Sequence, residues 1–170
     1  SLTHYFGLGG VVNIPESLSI TEIGQYAFSN FEYIPKTEED EISEDSPESS
    51  KIWFIGDNTI EEVIIPEGVK TIGPYAFANL TALKRVVLPS TLERIDQGAF
   101  YGCTSLKLVE GLGSVKFINR NAFADCALEG SIKLDSVVAL ADYAFFGNAP
   151  LKSVTLSAAT QSVGAYAFAG

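Results

Sequence analysis

Residues 72–89, IGPYAFANLTALKRVVLP, contain an Ala-Phe pair and a closing apolar run that both return along the chain. The pair occurs six times, and its phenylalanines are Phe28, Phe77, Phe100, Phe123, Phe145 and Phe168. Successive phenylalanines are separated by 49, 23, 23, 22 and 23 residues. A fixed period near 23 residues is typical of a solenoid, in which a repeat buries its apolar face only by stacking on a neighbour. The sequence therefore predicts an array of stacked coils.

Two further apolar columns keep step with the phenylalanines. Short strands are predicted to end about twelve residues before Phe, as at Ile65 and Leu88, because apolar residues there alternate with a period of two. The inward residues of these strands are Val63, Val86, Val109, Ile132 and Val154. Five residues before each Phe stand Ile23, Ile72, Ile95, Ile118, Leu140 and Val163. We expect both columns to face one core.

The residue after the second apolar column is Gly, Asp or Asn in every copy except Ala141. These types tolerate unusual backbone angles or cap helices, and Pro74 after Gly73 suits a first helical position. The pattern predicts that each Phe lies on a one-turn helix, with the preceding Ala keeping that turn close to the next coil. Tyr stands two residues before four of the phenylalanines, whereas Gly98 and Asn121 replace it in the middle copies, which indicates a tolerant position.

This pattern resembles the BspA-like leucine-rich repeats, also called type 5 leucine-rich repeats, whose signature runs roughly LxxIxLPxxLxxIGxxAFxxCxx. The resemblance covers residues 9–28 and 59–170, and residues 83–103 satisfy almost every position, with Asp96 where the family prefers Gly. It implies an α/β fold, a right-handed leucine-rich-repeat solenoid with a parallel β-ladder and one-turn helices. It also implies a bacterial protein that is secreted or displayed on the cell surface and binds host or bacterial macromolecules.

Length and composition favour one globular domain over residues 1–170, since 46% of the residues are apolar. No apolar run approaches the roughly 20 residues of a membrane helix, so membrane insertion is not expected. The net charge is −10, and no basic stripe is present, which argues against nucleic acid and anionic membrane surfaces as partners. We expect a monomer. The chain starts without Met and ends directly after an Ala-Phe pair, so the parent protein is expected to be longer.

The long interval between Phe28 and Phe77 predicts an insertion at about residues 31–58. Two segments of aromatic and β-branched residues there favour a β-hairpin, and a degenerate repeat without Ala-Phe is the alternative. Its tip, residues 36–50, carries a local net charge of −6 and is expected to be a solvated loop. It lacks the spacing of a calcium loop. Trp53 is expected to cover the seam between hairpin and solenoid, with ligand stacking as the alternative.

The sequence offers little for catalysis or metal binding. His4, the only histidine, is expected to be exposed and idle. Cys103 and Cys126 lie one period apart, and stacked positions about 4.8 Å apart are too distant for a disulfide, so two buried thiols are expected. No nucleophile and base recur at a fixed position. We therefore expect neither an enzyme nor a cofactor or metal site.

The outward positions of the strand ladder are the candidates for function because the core does not need them. Apolar residues cluster there among charged ones, which is typical of interaction surfaces. The candidate binding face consists of Glu62, Ile64, Arg85, Val87, Leu108, Glu110 and Lys133. Trp53 is a secondary candidate.

Two functions remain open at this stage. The first is a secreted or cell-surface adhesion module that holds a protein or glycan on its sheet face, as the resemblance implies. The second is a structural spacer that displays another domain and binds nothing, because β-branched residues also suit strands for reasons of packing alone.

Overall fold

The computed structural model describes residues 10–29 and 59–170, which form a solenoid with two walls around a shared core. The long-strand wall contains β1 (Gly10–Asn13), β3 (Ile60–Ile64), β5 (Arg85–Val87), β7 (Leu108–Glu110), β9 (Gly130–Leu134) and β11 (Leu151–Leu156). The short-strand wall contains β2 (Glu22–Ile23), β4 (Thr71–Ile72), β6 (Arg94–Ile95), β8 (Phe117–Ile118), β10 (Ala139–Leu140) and β12 (Ser162–Val163). Within the described ranges, no helix has the length and apolar character needed to cross a membrane. The predicted hairpin at 31–58, its acidic loop at 36–50, His4 and Trp53 lie outside the described residues.

Parallel pairing between successive repeats gives the solenoid its register. In the long-strand wall Val63 is opposite Val86, and Val86 is opposite Val109. In the short-strand wall Ile72 is opposite Ile95 in the same way. Residues one period apart therefore stack, and the predicted parallel ladder is confirmed.

The core consists of the predicted columns. The phenylalanine rings stack along the solenoid, with centroids 4.8–5.6 Å apart and interplanar angles of no more than 14°. Both apolar columns are buried through most of the chain, and so is the Ala of every Ala-Phe pair. Exposure rises in the last repeat, where Phe168 is 37% and Val163 is 48% exposed. These two side chains contact a neighbouring repeat on one side alone.

The one-turn helix expected at each Phe is a detail that the structure corrects. The described residues contain two short 3-10 helices, Glu16–Leu18 and Leu112–Ser114, and neither carries a Phe. The Ala-Phe segment instead lies in consecutive turns, in which the N–H of Ala76 donates to the carbonyl of Gly73 at 3.3 Å and that of Ala78 to the carbonyl of Tyr75 at 3.2 Å. The position of Tyr75 within that turn has φ +53°, which a right-handed helix does not allow.

That left-handed position also explains the replacements in the tyrosine column. All six repeats have a positive φ there, between 53° and 60°. Glycine and asparagine adopt this conformation most readily, so Gly98 and Asn121 are the residues that suit it best. A Cβ at Gly98 would also lie 2.3 Å from the ring of Tyr75. Backbone geometry therefore accounts for Gly98 and Asn121, whereas the other four repeats hold Tyr in the same conformation.

The long-strand wall is split, which the sequence reading did not foresee. Strands β1, β3, β5 and β7 form one sheet, and β9 and β11 form another. The N–H of Glu129 still donates to the carbonyl of Lys107 at 3.2 Å, but the strands that follow are not paired. After β7 the chain turns at Gly111, with φ +89°, so close to the preceding repeat that a Cβ would lie 2.4 Å from the carbonyl oxygen of Leu88.

Candidate functional site

The outward side of the long-strand wall presents two rows of side chains. The strand register aligns Val11, Glu62, Arg85 and Leu108 in one row and Asn13, Ile64, Val87 and Glu110 in the other. Six of the seven candidate residues therefore lie together on one sheet. The seventh, Lys133, lies on β9, across the split, and lines a cleft together with Leu108.

Arg85 is held between two carboxylates from the neighbouring repeats. Its Nε donates to Glu110 at 3.0 Å, and its Nη1 donates to Glu62. The hydrogen bond to Glu110 raises the pKa of Arg85 above its ordinary value. The guanidinium is thus already neutralised and positioned, and its apolar neighbours Val87 and Leu108 lie in register with Glu110 and Arg85.

Ile64 and Val87 line a groove where the strands of this sheet end. The groove has a volume of about 440 Å³, and its lining residues are Asn13, Ile14, Pro15, Glu16, Ile64, Ile65, Pro66, Glu67, Val87, Leu88 and Pro89. Most of these are apolar. Glu16 and Glu67 are the carboxylates among them, so the lining is mainly apolar and carries two negative charges.

The carboxylate of Glu67 is fixed by the next repeat. It accepts a hydrogen bond from the N–H of Ser90 at 2.8 Å and another from the Ser90 hydroxyl at 3.1 Å. The bond from the backbone N–H of Ser90 holds the pKa of Glu67 below its ordinary value. The negative charge at this edge of the groove is therefore positioned before any ligand binds.

Leu108 and Lys133 line a second opening, the cleft at the split of the wall. Its volume is about 290 Å³, and its other lining residues are Lys107, Val109, Gly111, Leu112, Gly113, Leu128, Glu129, Ser131, Ile132 and Asp135. Leu108 is 47% exposed. Val109, whose counterparts in the two preceding repeats are fully buried, is only partly buried. The split thus brings core-facing apolar residues to the surface beside Lys133.

Both cysteines are free and buried, as predicted. Each thiol donates to the carbonyl of a Phe in the preceding repeat at 3.1 Å, Cys103 to Phe77 and Cys126 to Phe100. Asn148 takes the same position in its repeat and donates to Phe123 at 2.8 Å. The position that Cys103, Cys126 and Asn148 share therefore supplies a hydrogen-bond donor to a buried backbone carbonyl. The sequence did not predict this role. Burial raises the pKa of Cys126 well above its ordinary value, which makes a structural thiol rather than a reactive one.

Two arginines on the short-strand wall were also missed. The guanidinium carbon of Arg94 lies 4.7 Å from the ring centroid of Phe117, and that of Arg120 lies 5.8 Å from the centroid of Tyr143. Each arginine stands 23 residues before its ring, one period, and that spacing was a signal available in the sequence. No group of His, Cys, Asp and Glu that could hold a metal ion occurs in residues 10–29 and 59–170.

Comparison with known proteins agrees with the repeat geometry. The family model for the BspA type leucine rich repeat region matches residues 10–129 and 50–170 in six copies. A leucine rich cell surface protein from Faecalibacterium prausnitzii shares 26% identity with a TM-score of 0.72, over 99% of this chain and 41% of its own. A leucine-rich repeat protein from Bacteroides ovatus shares 28% identity with a TM-score of 0.52, over 65% of this chain and 35% of its own.

A leucine rich repeat protein from T. pallidum covers 95% of the chain at 24% identity with a TM-score of 0.57, and supports the fold alone. No curated protein sequence matches at a significant level. The chain spans about two fifths of the F. prausnitzii protein and about a third of the B. ovatus protein.

Proposed function

Since the chain belongs to the BspA type leucine-rich repeat family, we propose that it is a non-catalytic binding module of a bacterial cell-surface protein and holds a partner protein on the long-strand wall. The family membership and the cell-surface relative from F. prausnitzii support the setting. The choice of surface rests on one observation, the two apolar openings that flank the Glu62–Arg85–Glu110 network.

These openings provide what a protein interface needs. Stable interfaces concentrate their binding energy in a few apolar or arginine anchors seated in pockets, surrounded by polar residues. Leu108 and Val87 are the apolar anchors of this surface, and the carboxylates of Glu67 and Glu129 lie beside them in the linings of the two openings. Because Glu62 and Glu110 hold Arg85, its side chain loses little conformational freedom on binding.

The test compares two variants that make parallel changes on opposite walls. The long-strand variant is Arg85→Gln, Val87→Ser, Leu108→Ser. The control is Lys70→Gln, Thr71→Ser, Ala139→Ser, which removes one positive charge beside β4 and changes side chains on β4 and β10 while Arg94 and Phe117 stay intact. Glutamine is used at position 85 because an acidic residue there would place three carboxylates side by side.

Both variants and the wild type are titrated against a panel of extracellular-matrix proteins and glycans by biolayer interferometry, after their folding has been checked by circular dichroism. We expect saturable binding of a protein by the wild type and the control, with loss of roughly tenfold or more in affinity for the long-strand variant. If the long-strand variant still binds a protein saturably, the binding site does not lie on the long-strand wall. No saturable ligand in any arm would favour the spacer role.

A further inference from the structure

Two arginines of the short-strand wall lie over aromatic rings and have no ion-pair partner among residues 10–29 and 59–170, on a surface separate from the one proposed above. Arg94 projects from β6 over Phe117 of β8, its partner in register. Arg120 follows β8 and lies over Tyr143. Neither forms an ion pair or a side-chain hydrogen bond with any residue that the structure describes. Arg85, the third arginine of the chain, is by contrast bound by two carboxylates.

Glu93 and Asp96 stand close to Arg94 in the sequence, and Asp142 stands about one repeat after Arg120; all three already accept hydrogen bonds. Glu93 pairs with Lys116 at 3.0 Å, and that hydrogen bond lowers the pKa of Glu93. Asp96 accepts from the side-chain amide of Asn119 at 2.6 Å. Asp142 accepts from the N–H of Ala165 at 2.7 Å. In the part of the chain that the structure describes, neither guanidinium is bonded to one of these carboxylates.

The aromatic rings fix the direction in which those donors point. A guanidinium that stacks on a ring offers its N–H groups at its edge, where a carboxylate binds with two parallel hydrogen bonds. Tyr143 also contacts Tyr166 of the following repeat at a centroid distance of 5.3 Å. The ring of Tyr143 is therefore in contact with Arg120 from the preceding repeat and with Tyr166 from the following one. A ligand can then bind at the edge of the Arg120 guanidinium, but not on the face of the ring.

We propose that Arg94 and Arg120 on the short-strand wall form a second binding site, which receives an acidic polypeptide segment of a partner protein. The charge complementarity is local, because the chain as a whole carries −10 and repels polyanions at a distance. Recognition thus depends on carboxylates that reach the two guanidinium edges at short range. Arginine beside aromatic residues is also the composition of energetically dominant positions in protein interfaces.

The probe is a fluorescein-labelled oligoglutamate peptide, whose binding is followed by fluorescence anisotropy at low salt. The test variant is Arg94→Gln, Arg120→Gln. The matched control is Lys84→Gln, Lys152→Gln, which removes the same charge from the other wall, just before β5 and on β11. Because residues 38–48 of the chain are themselves acidic, each protein is also measured with this tract replaced by a Gly-Ser linker.

We expect the arginine variant to bind the peptide roughly tenfold more weakly than the wild type, and the lysine control to bind within about twofold of it. The variant Arg94→Lys, Arg120→Lys should also bind the peptide more weakly. Lysine keeps the positive charge but lacks the planar guanidinium that stacks on a ring and donates two parallel hydrogen bonds. Equal losses in the arginine and lysine variants would overturn the proposal, because net charge alone would then explain binding. Binding of a heparin fragment but not of oligoglutamate through the same arginines would overturn it in favour of a sulfated glycan. Both of these outcomes concern the short-strand wall alone, so they can be told apart from a failure of the binding site proposed on the long-strand wall.

Discussion

Truncating a phenylalanine in the middle of the stack should destabilise the solenoid far more than the same change at its last repeat. Phe100 is fully buried, and its ring lies between Phe77 at 5.1 Å and Phe123 at 5.0 Å. Replacing a buried Phe by Ala costs about 3–5 kcal/mol, and two stacked neighbours place Phe100→Ala toward the upper end. Phe168 contacts one ring, that of Phe145 at 5.6 Å, and is 37% exposed. Burial of a whole apolar side chain stabilises by about 1.5–3 kcal/mol, so Phe168→Ala should cost roughly 1–2 kcal/mol.

Urea unfolding followed by far-ultraviolet circular dichroism measures both losses. Phe100→Leu is the control, because it keeps an apolar side chain of similar size and should cost only about 1 kcal/mol. Equal losses of stability for Phe100→Ala and Phe168→Ala would refute the stacked core. So would a loss at Phe100 no larger than that of the leucine control.

Three further predictions concern the thiols, the carboxylates and the acidic tract. Ellman's reagent should modify neither Cys103 nor Cys126 in the folded protein and both in denaturant, because both thiols are buried; prompt reaction without denaturant would contradict this. The lowered pKa values of Glu67 and Glu93 contribute stability that is present above their ordinary pKa of 4.5 and lost as the pH falls through their folded values. Glu67→Gln and Glu93→Gln should therefore each reduce the decline of the thermal unfolding midpoint below about pH 4.5, and an unchanged decline would argue against these hydrogen bonds. Replacing residues 38–50 by a short Gly-Ser linker should leave the urea midpoint nearly unchanged, since these residues offer almost nothing apolar to bury; a large drop would assign the tract a structural role.

The period of the sequence was sufficient to predict the ladder, the two apolar columns and the phenylalanine stack. These features repeat in every coil, so one alignment on Ala-Phe reveals them all. The features that the sequence did not predict depend on the backbone conformation within single coils. The positive φ at Tyr75 is one such detail, because tyrosine rarely adopts this conformation and gives no sign of it in the sequence.

The candidate site was predictable in part for the same reason. Outward positions follow from the period of two, and the register brought Ile64, Arg85 and Leu108 onto one sheet as expected. Lys133 lies on the other side of the split, where Gly111 follows β7 and Gly130 begins β9, both with positive φ. Glycine is common in the loops of repeats, and nothing in the sequence indicated that the pairing would stop here.

Photo-crosslinking from single positions tests the proposed binding surface most directly. A photoreactive phenylalanine analogue is placed at Leu108 on the long-strand wall, or at Ala139 on the short-strand wall, and the protein is irradiated with the partner protein found in the binding panel. The account predicts a saturable crosslinked product from position 108, lost when Val87→Ser and Arg85→Gln are added, and none from position 139. A product from position 139 with none from position 108, in proteins that bind the partner equally well, would contradict it.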